Sequence, residues 1–265
     1  MTYLVTGARG SVGRSVIDQL LAAGKSVRAA SSDPTAITVP EGVELVGLDM
    51  TDPASVAAAL DGVDRVFLYA TRAGIENFVD AAQEVAHVAL LSSIAAESDD
   101  NPIGASHLAV ERPLQDSGLP LTVLRPGAFA TNSRAWAPAI KSERVARVPF
   151  PDIHMNPIHE ADIAAAAVAA LTEQGHAGKI YPLTGPESLS QRSMVELIAA
   201  TIGEPVELAE LTYEQAAEFL YKPVLDAWSE LGTEPMRVGP TSESVTGVPA
   251  RTYAQWVADH IADFR

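Results

Sequence analysis

The chain has 265 residues, 47% of them hydrophobic and 20% charged, which is enough apolar chain for a large core in one or two domains. Its formal net charge of −16 argues against nucleic acid or an anionic membrane as a partner, because both bind to basic surfaces. The sequence contains no cysteine, which excludes disulfides, thiolate catalysis and cysteine-ligated zinc.

Short apolar segments alternate with helical patterns through the first half of the chain. Helices are predicted at residues 12–23 and 53–60, and strands at residues 3–6, 26–30, 43–48, 65–70, 87–91 and 121–124. Mostly apolar strands that alternate with helices indicate a parallel sheet covered on both faces. Right-handed crossovers then give a Rossmann-type, doubly wound α/β fold.

The pattern changes after about residue 130. Helices are predicted at residues 161–171 and 190–202, and a strand at residues 179–183. Two capping boxes are predicted, at Thr212-x-x-Gln215 and Thr252-x-x-Gln255. The last predicted helix buries Trp256, Val257, Ile261 and Phe264. We predict a dinucleotide-binding domain over residues 1–150, which the strand at 179–183 rejoins. Residues 151–265 are predicted to form a smaller, mostly helical substrate lobe.

A glycine-rich turn joins the first predicted strand to the first predicted helix. It reads Gly7-Ala8-Arg9-Gly10-Ser11-Val12-Gly13. In such a turn the glycines allow a tight bend and a close approach of pyrophosphate, which the free N–H groups at the helix N-terminus then bind. We expect Gly7, Gly10, Ser11, Val12 and Gly13 to contact a dinucleotide, the alternative being a turn that only packs.

The end of the second strand bears on the choice between NADP(H) and NAD(H). An NAD site places an acid there, whereas this chain has the hydroxyls Ser31 and Ser32. Arg9 in the glycine turn could bind a 2′-phosphate, or it could be a solvated surface charge. NADP(H) is therefore the predicted cofactor, and NAD(H) is the alternative because Asp33 follows the two serines.

The carboxyl ends of the other predicted strands supply the remaining expected contacts. Expected cofactor contacts are Asp49, Met50, Ala70, Thr71, Ser92, Pro126 and Phe129. Expected substrate contacts are Tyr69, Phe129, Asn132 and His154. Asp49 would meet the adenine edge, or it is simply a turn residue. Pro126 and Phe129 would form a wall at the nicotinamide, although an aromatic there is as often plain core.

Taken together, these segments resemble the atypical short-chain dehydrogenase/reductases, and within them the NmrA-like group. The resemblance is carried by residues 7–13, 91–93, Glu111 with 117–119, 124–129, 161–164, 181–186 and Trp256. The group includes NADPH-dependent quinone reductases, isoflavone-reductase-like enzymes and redox-sensing regulators. The resemblance implies the fold and the nicotinamide cofactor and leaves the substrate open.

Two departures from the resemblance bear on the chemistry. Where short-chain dehydrogenases commonly have a Tyr-x-x-x-Lys pair, this chain has Ile103 and His107, and Ser32 replaces the usual arginine after strand two. Ser93 matches the family's serine and could bind a substrate carbonyl, or only cap the strand end. His107 could orient the nicotinamide ribose or supply a proton, or be a partly exposed helix residue.

The sequence predicts an NADPH-dependent oxidoreductase that transfers hydride to a quinone or another conjugated carbonyl compound without a Tyr-Lys pair. One alternative is a non-catalytic NADP(H) sensor that controls a partner protein. Another is a secondary-metabolism reductase or isomerase acting on a bulky polycyclic substrate.

Metal binding and membrane insertion are not expected. His154 and His159 have a ligand-like spacing, but Pro157 interrupts the helix that such a pair would need. No apolar run reaches the roughly 18 residues that span a bilayer, and the first residues lack a signal-peptide pattern. We expect a cytoplasmic monomer or homodimer that binds a small-molecule substrate.

Overall fold

The computed structural model describes residues 1–69 and 72–265. Ala70 and Thr71, which were predicted to bind the cofactor, lie outside the described residues. The chain forms two compact units, of which the first comprises Met1–Pro126, Glu160–Leu183 and Ser242–Val248 and the second comprises Gly127–His159, Thr184–Thr241 and Pro249–Arg265. Residues 127–150 thus belong to the second unit, whereas the sequence placed them in the first domain. As separate folding domains, residues 1–150 and 151–265 stay a prediction.

The strands in chain order are β1 (Thr2–Val5), β2 (Ser26–Ser31), β3 (Glu44–Gly47), β4 (Arg65–Leu68), β5 (His87–Leu91), β6 (Leu121–Pro126), β7 (Val145–Pro149), β8 (His154–Met155), β9 (Ile180–Leu183), β10 (Leu189–Ser190) and β11 (Glu207–Leu211). The α-helices are α1 (Ser11–Ala22), α2 (Pro53–Leu60), α3 (Ile75–Ala81), α4 (Pro102–Asp116), α5 (Ala137–Glu143), α6 (Glu160–Thr172), α7 (Gln191–Ile202), α8 (Tyr213–Ala217), α9 (Lys222–Ser229), α10 (Glu243–Thr246) and α11 (Tyr253–Asp259). Short 3-10 helices lie at Pro34–Ala36, Ile94–Glu97, Ala130–Trp136 and Ile261–Asp263.

A parallel sheet forms the centre of the first unit. In the described part of the chain it has seven strands in the order β3-β2-β1-β4-β5-β6-β9. The order reverses beside β1, so the carboxyl ends of β1 and β4 form the switch point at which such sheets bind ligands. The sheet confirms the predicted Rossmann-type α/β fold, and the predicted late strand lies at its edge as β9.

The helices of the first unit begin where the sequence supplies a cap. Asp52 accepts a hydrogen bond from the Ala54 N–H before α2, and Asn101 accepts one from the Gly104 N–H in α4. Apolar residues of α2, α3 and α4 pack with the sheet into one core, which includes Val56, Phe78 and Leu114. The caps and the apolar periodicity together explain why the predicted helices form near their expected positions.

The second unit contains two small sheets as well as helices. β8 pairs with β10 in antiparallel fashion, and β7 pairs with β11 in parallel. None of these four strands was predicted from the sequence. Both predicted capping boxes, at Thr212 and Thr252, are present and are confirmed. The predicted last helix ends at Asp259, and Ile261 lies in a separate 3-10 helix and is only partly buried, so its assignment to that helix's buried face was wrong.

Where the predicted and observed elements differ, the differences are mostly one or two residues at the ends. β6 extends to Pro126, for example, because Leu124 to Pro126 continue the ladder to β9. Such ends are weakly specified by local sequence. Within the described ranges 1–69 and 72–265, no helix has both the length and the apolar character that a bilayer span requires.

Candidate cofactor and active site

The glycine turn between β1 and α1 is closed by direct backbone packing. Gly7 has a positive φ of 63°, which favours glycine, and the Gly10 N–H donates a hydrogen bond of 2.9 Å to the Gly7 carbonyl. A Cβ added to Gly13 would lie 2.4 Å from that same carbonyl oxygen. The absence of a side chain at Gly13 therefore allows α1 to start directly against the turn.

The N-terminus of α1 has the properties of an anion site. Gly10 is its N-cap residue, no side chain caps it, and its first turn contains no acidic residue. The first N–H groups of a helix have no partner within the helix, and the helix dipole places partial positive charge there. Pyrophosphate fits this end of α1, since Gly10, Ser11 and Val12 present backbone rather than competing side chains.

Tyr69 lies against the glycine turn at the end of β4. A Cβ added to Gly7 would lie 3.0 Å from the Tyr69 Cβ and 3.1 Å from its ring. The Thr6 hydroxyl donates to the Tyr69 carbonyl at 3.0 Å and accepts from the Tyr69 N–H at 2.7 Å. The Tyr69 side chain nevertheless remains 55% exposed. Its predicted contact with substrate is untested, and its position beside Gly7 also suits contact with a bound dinucleotide.

Arg9 and Asp33 lie in each other's electrostatic field at the end of β2. The Asp33 Oδ1 accepts hydrogen bonds from the Thr35 hydroxyl at 2.6 Å and the Thr35 N–H at 3.0 Å. These bonds, with a smaller contribution from the Arg9 charge, hold the pKa of Asp33 below its ordinary value. The Ser31 hydroxyl donates to the Asp33 carbonyl, whereas Ser32 is exposed. Asp33 thus acts as a helix cap, while Arg9 is exposed.

Asp49 has the geometry of a turn residue. Its Oδ1 accepts from the Thr51 N–H at 2.8 Å and the Thr51 hydroxyl at 2.7 Å, which together lower its pKa. The Asp49 N–H donates to Ser55 Oγ, and the neighbouring Met50 carbonyl accepts from the Asn77 side chain at 3.0 Å. These bonds correspond to the turn alternative for Asp49. The contact of Asp49 with adenine and the contact of Met50 with the cofactor stay predictions.

A buried polar cluster links the carboxyl ends of β5 and β6 to α4. Glu111 is fully buried and accepts from Arg125 Nε at 3.0 Å, Arg125 Nη2 at 2.6 Å and Ser92 Oγ at 2.5 Å. The Gln115 side chain also donates to Glu111, at 3.3 Å. The bonds to Glu111 raise the pKa of Arg125 above its ordinary value. The Ser92 hydroxyl, predicted to contact the cofactor, is therefore directed at Glu111.

Of the predicted catalytic residues, Ser93 directly follows Ser92 of this cluster, and His107 lies four residues before Glu111 on α4. Ser93 is partly buried, and its Oγ accepts from the Ala95 N–H at 3.2 Å as the cap of the 3-10 helix Ile94–Glu97. Its hydroxyl proton remains available for donation. His107 is partly buried on α4, where burial lowers its pKa and the charge of Glu111 opposes that shift.

Three predicted residues belong to the second unit. Phe129 is partly buried and pairs through an isolated bridge with Ile158, and Asn132 is exposed within a 3-10 helix. His154 is partly buried in β8, and its Nδ1 lies 3.1 Å from Ser188 Oγ. Pro126, predicted beside Phe129, ends β6 in the first unit and is buried. Cofactor and substrate contacts of these residues stay predictions.

The roles of Glu111 and Arg125 were missed by the sequence analysis. Glu111 was noted only as part of the family resemblance, and Arg125 only within a quoted motif. The sequence does indicate that Arg125 has a partner. Arg125 interrupts the apolar strand Leu121–Pro126, and a charge inside such a strand needs a buried group of opposite charge. For metals, among the residues that the structure describes no group of three His, Asp or Glu side chains could hold an ion.

Comparisons with known proteins agree with this geometry. Residues 7–174 match a family described as NAD(P)H-binding. The chain is 37% identical to a "(4-alkanoyl-5-oxo-2,5-dihydrofuran-3-yl)methyl phosphate reductase" of Streptomyces griseus, over 98% of each protein. It is 31% identical to an NAD(P)H azoreductase of Xenophilus azovorans, again over 98% of each.

A solved structure gives the same result for the fold. The NADPH-dependent quinone oxidoreductase QOR2 of Escherichia coli, crystallised with NADPH, is 25% identical, with a TM-score of 0.80 over 98% of this chain and 100% of that one. These likenesses confirm the predicted resemblance and the predicted class of cofactor.

Proposed function

This chain belongs to the NAD(P)H-binding family, and on that premise we propose that it is an NADPH-dependent reductase of conjugated carbonyl compounds. The proposal depends above all on the uncapped N-terminus of α1, which follows the glycine turn at the switch point of the sheet. An anion site at that place suits the pyrophosphate of a dinucleotide. The nicotinamide would then lie toward the carboxyl ends of the neighbouring strands.

The proposed acceptor is a carbon–carbon double bond conjugated to a carbonyl group. The substrate named for the Streptomyces griseus relative is an unsaturated lactone whose ring double bond is conjugated to two carbonyls. The Escherichia coli relative is named for quinones, which are also conjugated carbonyl compounds. Such acceptors delocalise the negative charge that hydride addition produces. They therefore place little demand on a strong proton donor, which suits a chain with Ile103 and His107 at the usual Tyr-Lys positions.

Ser93 and His107 are the proposed active-site residues. NADPH held at the N-terminus of α1 would supply a hydride, which an unsaturated lactone would accept at the double-bond carbon β to its carbonyl group. The electron pair of the acceptor's double bond then moves to its carbonyl oxygen. The Ser93 hydroxyl would donate a hydrogen bond to that oxygen, and His107 or water would supply the proton that completes the reduction.

Steady-state oxidation of NADPH by the purified chain tests this function. The acceptors are a quinone and acylated unsaturated lactones with and without a phosphate, with the saturated lactones as matched controls. We expect turnover of the unsaturated acceptors and none of the saturated ones. Tight NADPH binding without turnover of any acceptor would contradict the proposal and favour a sensor.

Arg9→Ala tests the preference for NADP(H). Arg9 is exposed in the glycine turn, and charged hydrogen bonds to phosphate contribute about 1.5–3 kcal/mol. We expect NADPH to bind about ten- to a hundredfold more weakly to this variant, and NADH to bind nearly as before. Calorimetric titration with both nucleotides measures the difference.

Lys25→Ala is the matched control for Arg9→Ala, because it removes a positive charge just beyond the other end of α1. It should leave both affinities unchanged. Equal weakening of NADPH and NADH by Arg9→Ala would contradict a specific role of Arg9 at the 2′-phosphate.

His107→Gln tests the proposed proton donor through its pH dependence. Burial lowers the pKa of His107 below its ordinary value, so the imidazolium becomes more populated as the pH falls. With an acceptor whose reduction is limited by proton transfer, we expect kcat to rise as the pH falls through the His107 pKa. In His107→Gln this rise should disappear, and the rate at low pH should drop about 10- to 100-fold. An unchanged pH profile would assign the proton to water.

A further inference from the structure

The cluster of Ser92, Glu111 and Arg125 has no part in the proposed chemistry, although it holds a fully buried carboxylate. Placing a charge in a protein interior is costly unless it is paired and fully hydrogen-bonded. Here Arg125 and Ser92 make three hydrogen bonds to Glu111. The Arg125 side chain is itself only 13% exposed. Because a buried ion pair of this kind does not by itself stabilise a fold, stability alone does not account for this cluster.

Each of the three residues is close to a proposed active-site residue in the fold. Two of them lie in the same segments as those residues, and the third lies on the neighbouring strand. Ser92 follows β5 and directly precedes Ser93. Glu111 lies on α4 one turn after His107, and residues four apart on a helix are neighbours. Arg125 lies on β6, next to β5 in the sheet. A shift of Glu111 relative to the sheet would therefore change the spacing between Ser93 and His107.

We propose that Glu111 is a positioning residue for the reduction, fixing Ser93 through Ser92 and holding His107 in place and in a proton-donating environment, with Arg125 anchoring its carboxylate to β6. This inference rests on the proposed function. Glu111 is buried and does not itself contact the substrate. Its effect on the reaction would be exerted through the two residues it orients.

The charges around His107 support the electrostatic part of this role. On its own helix, Glu111 is the charge that opposes the effect of burial on the His107 pKa. Of the elements packed against α4, β6 brings Arg125 and the 3-10 helix after Ser93 brings Glu97, whose charge acts on Arg125. Helix α3 also packs against α4 and carries Glu76 and Asp80. Loss of the Glu111 charge should thus lower the His107 pKa further.

Glu111→Gln is the first test, because it removes the charge and keeps the size of the side chain. We expect kcat to fall at least about tenfold, while the Kd for NADPH changes less than about threefold. The His107 pKa, followed by NMR and assigned with His107→Gln, should fall below its wild-type value. The acidic rise of kcat should move to lower pH by the same amount.

Arg112→Gln is the matched control, since Arg112 is the next residue of the same helix and forms an exposed ion pair with Asp99. It should change neither kcat nor the His107 pKa. If Glu111→Gln does not fold, Glu111→Asp replaces it, because the shorter side chain keeps the charge but cannot reach both Ser92 and Arg125. For Glu111→Asp we expect a lower kcat with an unchanged His107 pKa.

Two negative results would lead to different conclusions. If the wild type reduces no acceptor, the proposed function fails, and the NMR titration still shows whether Glu111 controls His107. If the wild type reduces an acceptor, and a folded Glu111 variant keeps the wild-type kcat and His107 pKa, then Glu111 is merely structural and this inference is overturned.

Discussion

Replacing Gly13 with alanine is expected to weaken NADPH binding more than a hundredfold. The added Cβ would lie 2.4 Å from the Gly7 oxygen and 2.9 Å from the Gly7 carbonyl carbon, distances at which the backbone must move. Moving α1 away from the turn separates the helix N-terminus from the phosphate site, and an interaction set by backbone geometry cannot be restored by a side chain. Titration of the variant with NADPH measures the loss, after circular dichroism has shown that it folds.

Gly24→Ala provides the matched control for Gly13→Ala. Gly24 lies just beyond α1, at the opposite end from the turn, with a φ of 68° and no atom within 4 Å of an added Cβ. Alanine there should cost about 1–2 kcal/mol of stability through backbone strain alone. If both Gly24→Ala and Gly13→Ala bind NADPH with the wild-type affinity, the glycine turn does not form the phosphate site.

Replacing Gly104 with alanine is expected to lower the free energy of unfolding by about 3 kcal/mol. The added Cβ would lie 2.0 Å from the Ser98 oxygen and 2.3 Å from the Ala95 oxygen. Both oxygens belong to the segment that follows Ser93, and α4 packs directly on it. The variant should also lose activity, because the overlap would displace Ser93 relative to His107. Urea unfolding measures the stability, and NADPH oxidation measures the activity.

A glycine in open space provides the comparison for Gly104→Ala. An added Cβ at Gly232 would have its nearest neighbour, the Glu234 nitrogen, at 3.9 Å, and the backbone there is unstrained. Gly232→Ala should therefore be stable to within about 0.5 kcal/mol of the wild type. A Gly104→Ala protein as stable and active as Gly232→Ala would mean that α4 is not held closely against the segment after Ser93.

The fold was predictable because local and long-range signals agree in the first half of the chain. The glycine turn demands backbone geometry that few other sequences can adopt, so its position fixed β1 and α1 together. The bounds of the strand His87–Leu91 were predicted correctly because its sequence is almost entirely apolar. The structure shows all five of its residues buried. Strands β7 and β11 were missed because no residue of β11 is fully buried and their pairing depends on contacts distant in sequence.

Part of the candidate site was predictable where it depends on the backbone. The pattern of Gly7, Gly10 and Gly13 was sufficient to predict the tight turn before α1, which the structure contains. Contact of these glycines with pyrophosphate stays a prediction. The bonds that Asp33 and Asp49 make did not follow from the sequence, because either carboxylate could bind a ligand or cap a turn. The structure shows both accepting hydrogen bonds from a threonine two residues later, Thr35 and Thr51 respectively, and a cofactor contact of Asp49 stays a prediction. The partnership of Glu111 and Arg125 needed the three-dimensional structure, since residues on α4 and β6 meet only in the fold.

The most direct test of the account is a calorimetric titration of the folded wild-type chain with NADPH. We expect one saturable site per chain with a clear preference for NADPH over NADH, because in the proposed complex the amides at the N-terminus of α1 would bind the pyrophosphate and Arg9 would bind the 2′-phosphate. A folded protein that gives no binding heat with either nucleotide, and no protection of α1 amides from exchange, would contradict it.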